Sequence, residues 1–266
     1  AFCCSTLLAR ALELPGTAMA LKEPMLFNDM AGWQLRGASG PQLAAGLTTG
    51  LALLARPFAA GEAVIVKPSN IANALIAGVL QLRPQSQALL LHAPLPVYLG
   101  SIVRKGLEGR LWVRDLLLKQ LRQGLHDFGF TAEDYMGQTD LQVAAMGWLA
   151  QKALFARLLA RHPGRLRSID SEALMARPEP ALMALGQHFG LVLDVPAIVA
   201  GPAFTRHSKW GSAFDASARA AEQAAEAAHA DEIDKVRIWA ETVAAAQGVP
   251  LHLPGALLAA DQNSAG

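Results

Sequence analysis

The chain has 266 residues, 52% hydrophobic and 17% charged, which is ample material for one large domain with a buried core. A net charge of +1 argues against a dedicated nucleic-acid surface or an acidic tail. Apolar runs such as 51–55 and 71–82 stop short of the roughly 20 residues a membrane-spanning helix needs, so no transmembrane segment is expected.

The first element is a turn, Phe2-Cys3-Cys4-Ser5-Thr6-Leu7, running into a helical stretch from Leu8. A helix start offers unpaired N–H groups and a positive dipole end, which bind anions, and small hydroxyl residues let the backbone approach a phosphate. The same Ser-Thr pair also serves as a plain N-cap. Cys3 and Cys4 are the only cysteines and are adjacent, which leaves no disulfide framework and no cysteine metal cluster. They read as reduced thiols of a cytoplasmic protein, and no metal is expected. The turn is expected to be fed by a first strand upstream of Ala1.

Beyond the breaker Pro15-Gly16, residues 17–21 form a short candidate strand that ends at Lys22-Glu23-Pro24. Helical pattern covers 41–56. The β-branched run Ala63-Val64-Ile65-Val66, closed by Lys67-Pro68, is the strongest strand signal in the chain. A helix over 71–82 and a buried strand over 87–92 follow. From 97 to 160 the pattern is almost wholly helical, with 107–161 expected to shape a small-molecule pocket. Its Trp112, Tyr135 and Trp148 suggest an apolar or ring-bearing small molecule, although aromatics at helical spacing also serve as core. A fourth strand is possible over 165–169, then a helix over 179–189 ending at Gly190. A loop over 201–215 and an Ala-rich helix over 216–245 close the chain.

Apolar strands alternating with helices predict an α/β fold in which a central parallel sheet is flanked by helices in three layers. The whole of 1–266 reads as one domain. In such folds ligands bind beyond the carboxyl ends of the strands. The opening turn, Glu23, Lys67 and His92 all reach that edge, and their convergence carries more weight than any one motif.

These pieces resemble bacterial sulfotransferase-like proteins of the P-loop nucleotide-binding superfamily. The resemblance runs through Cys4-Ser5-Thr6-Leu7-Leu8, Glu23-Pro24, Val66-Lys67-Pro68, His92-Ala93-Pro94 with Ser101 and Arg104-Lys105-Gly106, and 170–191 with its Phe189-Gly190-Leu191 ending. It implies a P-loop-type fold and transfer of a sulfuryl group from 3′-phosphoadenosine 5′-phosphosulfate (PAPS) to an acceptor hydroxyl or amine. Carried over residue by residue, Cys3, Cys4, Ser5, Thr6 and Leu7 form the phosphosulfate loop. Glu23 is the base that deprotonates the acceptor, and Lys67 stabilises negative charge on the transferring group. His92, Ser101 and Arg104 fall where the family grips the 3′-phosphate. Arg206 and Lys209 fall in the basic loop that closes on the nucleotide. Each residue also has a plain structural role open to it: a salt-bridging Glu23, an exposed strand-end Lys67, an ordinary helix face for Ser101 and Arg104, a solvated loop for Arg206 and Lys209.

Three positions depart from the family pattern. Phe2 stands where the loop normally has Lys or Arg, Cys4 where it has Gly, and His92 where it has Arg. Each charge-assisted phosphate bond lost costs about 1.5–3 kcal/mol unless Arg104, Arg206 or Lys209 replaces it. The alternative is therefore a P-loop protein that binds nucleotide or a partner without sulfuryl transfer. A cysteine nucleophile at the helix start is a further possibility, without an obvious His–acid partner.

Overall fold

The computed structural model describes residues 3–205 and 228–258. Helix α1 (Ser5–Ala11) leads to β1 (Ala18–Lys22), α2 (Met25–Leu35) and α3 (Gly40–Leu54). Strand β2 (Ala63–Lys67) is followed by a 3-10 turn over Asn70–Leu75, α4 (Ile76–Leu82) and β3 (Ala88–His92). Four helices, α5 (Leu95–Arg104), α6 (Gly106–Arg122), α7 (Ala132–Met136) and α8 (Asp140–Arg161), separate β3 from β4 (Leu166–Asp170). Then come α9 (Ser171–Ala176), α10 (Pro178–Phe189), α11 (Val195–Ala200), α12 (Pro202–Thr205) and α13 (Ala230–Ala246).

All four expected strands are present, each within a residue or so of its expected bounds. The expected single central sheet is corrected: among the described residues the strands form two parallel pairs, β1 with β2 and β3 with β4. No ladder joins β2 to β3. The chain passes from β2 to β3 through the 3-10 turn and α4. Helix α2 is a second correction, because the sequence reading left 25–35 without a helix. Asn28, Asp29 and Gly32 lower its intrinsic propensity, and burial of Phe27, Met30 and Ala31 against α3 and the 3-10 turn overrides that.

Both strand pairs are flanked by helices. On one face Ile65, Leu89 and Leu91 pack in a single cluster with Leu8, Ala11 and Leu12 of α1 and Leu182 and Leu185 of α10. On the other face Val66 packs with Phe27, Leu47 and Leu75, while Leu90 packs with Leu80, Phe155 and Leu158. The largest core cluster surrounds α8, which starts at a capping box between Thr139 and Gln142 and buries Leu141 and Leu149 completely. Each such leucine contributes about 1.5–3 kcal/mol by leaving water. α8 is also the one described helix long and apolar enough to cross a bilayer, and 72% of its apolar window is buried inside the protein.

Trp148 on α8 belongs to that core, and Trp112 and Tyr135 pack at its rim. Trp148 also lines a small enclosed pocket with Tyr98, Gln120 and Gln151. Helix α10 ends as expected at Gly190, which takes the left-handed conformation (φ 65°, ψ 32°) that closes a helix.

Candidate functional site at the strand ends

Lys67 is the last residue of β2 and lies in register with Lys22, so Glu23 sits one step beyond the pair. The Glu23 N–H donates to the Lys67 carbonyl at 2.7 Å. The Lys67 ammonium in turn donates to Glu23 Oε1 as an ion pair. The Glu23 side chain is 54% exposed and that of Lys67 only 16%, so the carboxylate faces solvent over a largely covered cation. The two residues expected to be catalytic are therefore in direct contact. Glu23 also adopts a left-handed backbone (φ 53°), which a non-glycine residue takes only at a cost.

Among the described residues one other non-glycine shares that conformation, and it is Cys4 (φ 59°, ψ 16°), at the start of α1. The resemblance calls for glycine at this position, and the backbone here is the one glycine adopts most freely. Cys4 provides no side-chain cap to the helix. The N–H groups of Ser5, Thr6 and Leu7 meet no partner among the described residues. The plain N-cap reading of this turn is not the arrangement observed. Burial raises the Cys4 thiol above its ordinary pKa, with Cys3 and Glu172 adding to the effect, which disfavours a thiolate nucleophile. Cys3 is buried and belongs to the same core cluster as Ala93 and Leu95, which follow β3. Phe2 lies outside the described residues.

His92 is the last residue of β3 and is 8% exposed. Its Nδ1 lies 3.2 Å from the Lys152 ammonium, a residue of α8 that is itself only 3% exposed. Burial, reinforced by the Lys152 charge and by His252, holds the His92 pKa down at about 3. The imidazole is therefore neutral near pH 7. With Lys152 charged, Nδ1 accepts its proton and the ring hydrogen resides on Nε2. Burial also brings Lys152 down to about 8, opposed by Asp170 at the end of β4. Asp170 Oδ2 lies 3.9 Å from His92 Nδ1, while Oδ1 caps α9 by accepting from Glu172 N at 2.8 Å. One turn before Lys152, the Trp148 indole N–H donates to the Ala93 carbonyl at 2.9 Å, and the Lys152 ammonium sits 4.9 Å from its ring centroid.

Lys152 and Asp170 were absent from the expected site residues. A lysine inside the apolar run Leu149-Ala150-Gln151-Lys152-Ala153 was the available signal, since a buried cation demands a partner. Ser171, beside Asp170, is 1% exposed, and its Oγ has no hydrogen-bond partner among the described residues. Ser101 and Arg104 do share one side of α5, with Arg104 Nη2 donating to Ser101 Oγ at 2.8 Å. Ser101 is buried and donates its own proton to the Val97 carbonyl, so its hydroxyl is committed to its helix. Arg206 and Lys209 lie outside the described residues.

An open apolar groove of about 580 Å³ runs between α2 and α3, lined by Leu26, Met30, Trp33, Gly46, Gly50 and Leu53 among others. Leu26, in its wall, is three residues beyond Glu23 in the chain; neither Glu23 nor Lys67 lines the groove. Added Cβ atoms at Gly46 and Gly50 would come within 2.9 Å of Met30 and 2.3 Å of Leu26, so these glycines set how closely the two helices approach. Compared with known proteins, the chain matches no family model, no curated protein and no solved structure.

Proposed function

We propose that the strand ends form the active site of a sulfotransferase-like enzyme that moves a sulfuryl group from PAPS to an acceptor hydroxyl or amine. The observation that carries this reading is the pairing of Glu23 with Lys67 at the ends of adjacent parallel strands. The only two left-handed non-glycine residues described, Glu23 and Cys4, lie at this edge. Backbone strain of this kind costs about 1–3 kcal/mol per residue and collects at functional sites.

Glu23 has its Oε1 held by Lys67, which leaves Oε2 to accept the proton of the acceptor. As that proton leaves, the acceptor oxygen or nitrogen bonds to sulfur and the bond from sulfur to the phosphate oxygen breaks. The Lys67 ammonium offsets the charge gathering on the departing phosphate, and such stabilisation is worth about 2.7–4 kcal/mol where single groups have been removed. The N–H groups of Ser5, Thr6 and Leu7, which meet no partner among the described residues, suit a 5′-phosphate. The α2–α3 groove suits an apolar acceptor. At the place where the family has an arginine, the cation is Lys152, which reaches His92 from α8.

The deciding experiment offers labelled PAPS with pooled hydroxyl and amine acceptors to the protein and to Glu23→Gln. Transfer that falls by about 10²–10⁴-fold in the variant supports the base role. A second reading, a nucleotide- or partner-binding protein without transfer, draws on the neutral, buried His92 and on the committed Ser101 hydroxyl. Binding of adenosine 3′,5′-bisphosphate without any transfer selects that reading. Absence of both removes the two together.

A further inference from the structure

Helices α5, α6 and α8 do not close completely on one another. Between them lies a pocket lined by Asn70, Tyr98, Gln120, Gly147, Trp148 and Gln151. Asn70 opens the 3-10 turn that follows β2, Tyr98 belongs to α5, Gln120 to α6, and the other three to α8. The free volume is about 10 Å³, room for one water-sized group. Asn70 and Gln151 are half-buried and the other four are buried, so the pocket is approached from the side of those two. No charged side chain lines it.

The polar groups of its wall present one acceptor and one donor. Gln120 is 2% exposed, and its Nε2 donates to the Gly147 carbonyl at 3.2 Å. That bond fixes the orientation of the amide, because the opposite one would set two oxygens against each other. Gln120 Oε1 is thereby left without a donor among the described residues. It sits beside Gly147, where an added Cβ would come within 2.9 Å of it. Gln151 is the complement. Its Oε1 accepts from Asn73 Nδ2 at 3.1 Å, so what it offers the pocket is its NH₂ group. The Trp148 indole N–H is committed to the Ala93 carbonyl. Burial pushes the pKa of the Tyr98 hydroxyl up, so that wall carries no charge near pH 7.

A buried acceptor left bare costs as much as a lost hydrogen bond, so the pocket calls for an occupant that donates. An anion has no proton for Gln120, and an ammonium has no lone pair for Gln151. An uncharged O–H group has both. We propose that the pocket binds one hydroxyl group, which donates to Gln120 Oε1 and accepts from the Gln151 amide. A water molecule supplies that group, or the hydroxyl end of a small alcohol entering past Asn70 does so. Held there, the group ties α6 to α8 through the two glutamines. Neither Glu23, Lys67 nor the turn before α1 lines the pocket, so the proposal is independent of the sulfuryl-transfer reading.

Nuclear Overhauser measurements between solvent and protein test it. Leu116 borders the pocket, is buried, and has no exchangeable side-chain proton, so its methyl groups serve as the probe. Cross-peaks from water to these methyls are expected, with the sign of a long-lived bound molecule. Carbon-13-labelled methanol separates the two sources. Methanol cross-peaks that replace those of water show that an alcohol hydroxyl is accepted, and unchanged water peaks assign the site to water alone. Gln120→Met keeps the volume and removes the acceptor, whereas Gly147→Ala favours the helix and sets a Cβ against Oε1. Both variants are expected to lose the Leu116 cross-peaks while keeping the amide spectrum of a folded protein. If Gln120→Met does not fold, Gly147→Ala decides. The proposal is overturned when wild-type Leu116 shows neither water nor methanol cross-peaks, or when the peaks persist at full height in the folded variants.

Discussion

The two strand pairs end in polar clusters of opposite design. At the end of β1 and β2, Glu23 and Lys67 form an ion pair with an exposed carboxylate, on a strained backbone and over a strand only half-buried. At the end of β3 and β4, His92 and Lys152 are almost wholly covered, and α8 holds the strand end at two points through Trp148 and Lys152. The first arrangement leaves charge available to a reactant. The second confines charge within the core, where losing a partner is expensive. Position at a strand end does not by itself make a residue catalytic; what surrounds it decides.

This contrast is sharpened or broken by a graded set of measurements. The largest effect belongs to Glu23→Gln, expected to cut transfer by about 10²–10⁴-fold while moving the unfolding midpoint little, because exposed pairs contribute about 0.2–1 kcal/mol. A large stability loss in that variant would make the pair structural. Next is Lys152→Ala, which leaves a hole in the core and strips His92 and Asp170 of their cation. It is expected to destabilise by about 2–4 kcal/mol in urea unfolding. Lys152→Met refills the volume and should recover much of that loss. In both variants the His92 titration followed by NMR moves up from about 3, because a repelling charge has gone.

The pH dependence is smaller per unit and has a defined sign. His92 titrates near 6.5 when unfolded and near 3 when folded, so between these values the unfolded state binds the extra proton. Stability is therefore intact above about pH 6.5 and falls on acidification by up to about 1.4 kcal/mol per pH unit. Lys152 acts in the same sense between about 8 and its unfolded value, where stability rises with pH. Denaturant midpoints at pH 7 and pH 5 should differ in the wild type and converge in His92→Gln. The smallest effect is Cys4→Gly, which relieves the left-handed backbone and should raise stability by about 0.5–1 kcal/mol, or about 2 °C in Tm.

Much of this was legible in the sequence. Val64, Ile65 and Val66 mark a strand by composition, and Pro68 and Pro94 follow where β2 and β3 stop, so the lysine and histidine fall at the carboxyl ends of the strands. What escaped reading is what tertiary contact decides. Helix α2 forms against its propensity because Phe27 and Met30 find a surface to bury. The partner of His92 arrives from 60 residues away on α8, beyond the reach of any local pattern. The burial of Ser101 follows from packing around α5. The division of the sheet into two pairs depends on which backbone edges meet, and side-chain periodicity carries no information about that.

The backbone bond between Glu23 and Lys67 has a kinetic consequence. Because the ladder fixes the two Cα positions, the side-chain pair can open without either residue leaving its place. The mobile partner is Glu23, whose side chain is 54% exposed and free to change rotamer in picoseconds to nanoseconds, whereas Lys67 is largely covered. The ion pair therefore opens and re-forms from the carboxylate side, over a cation that stays in place.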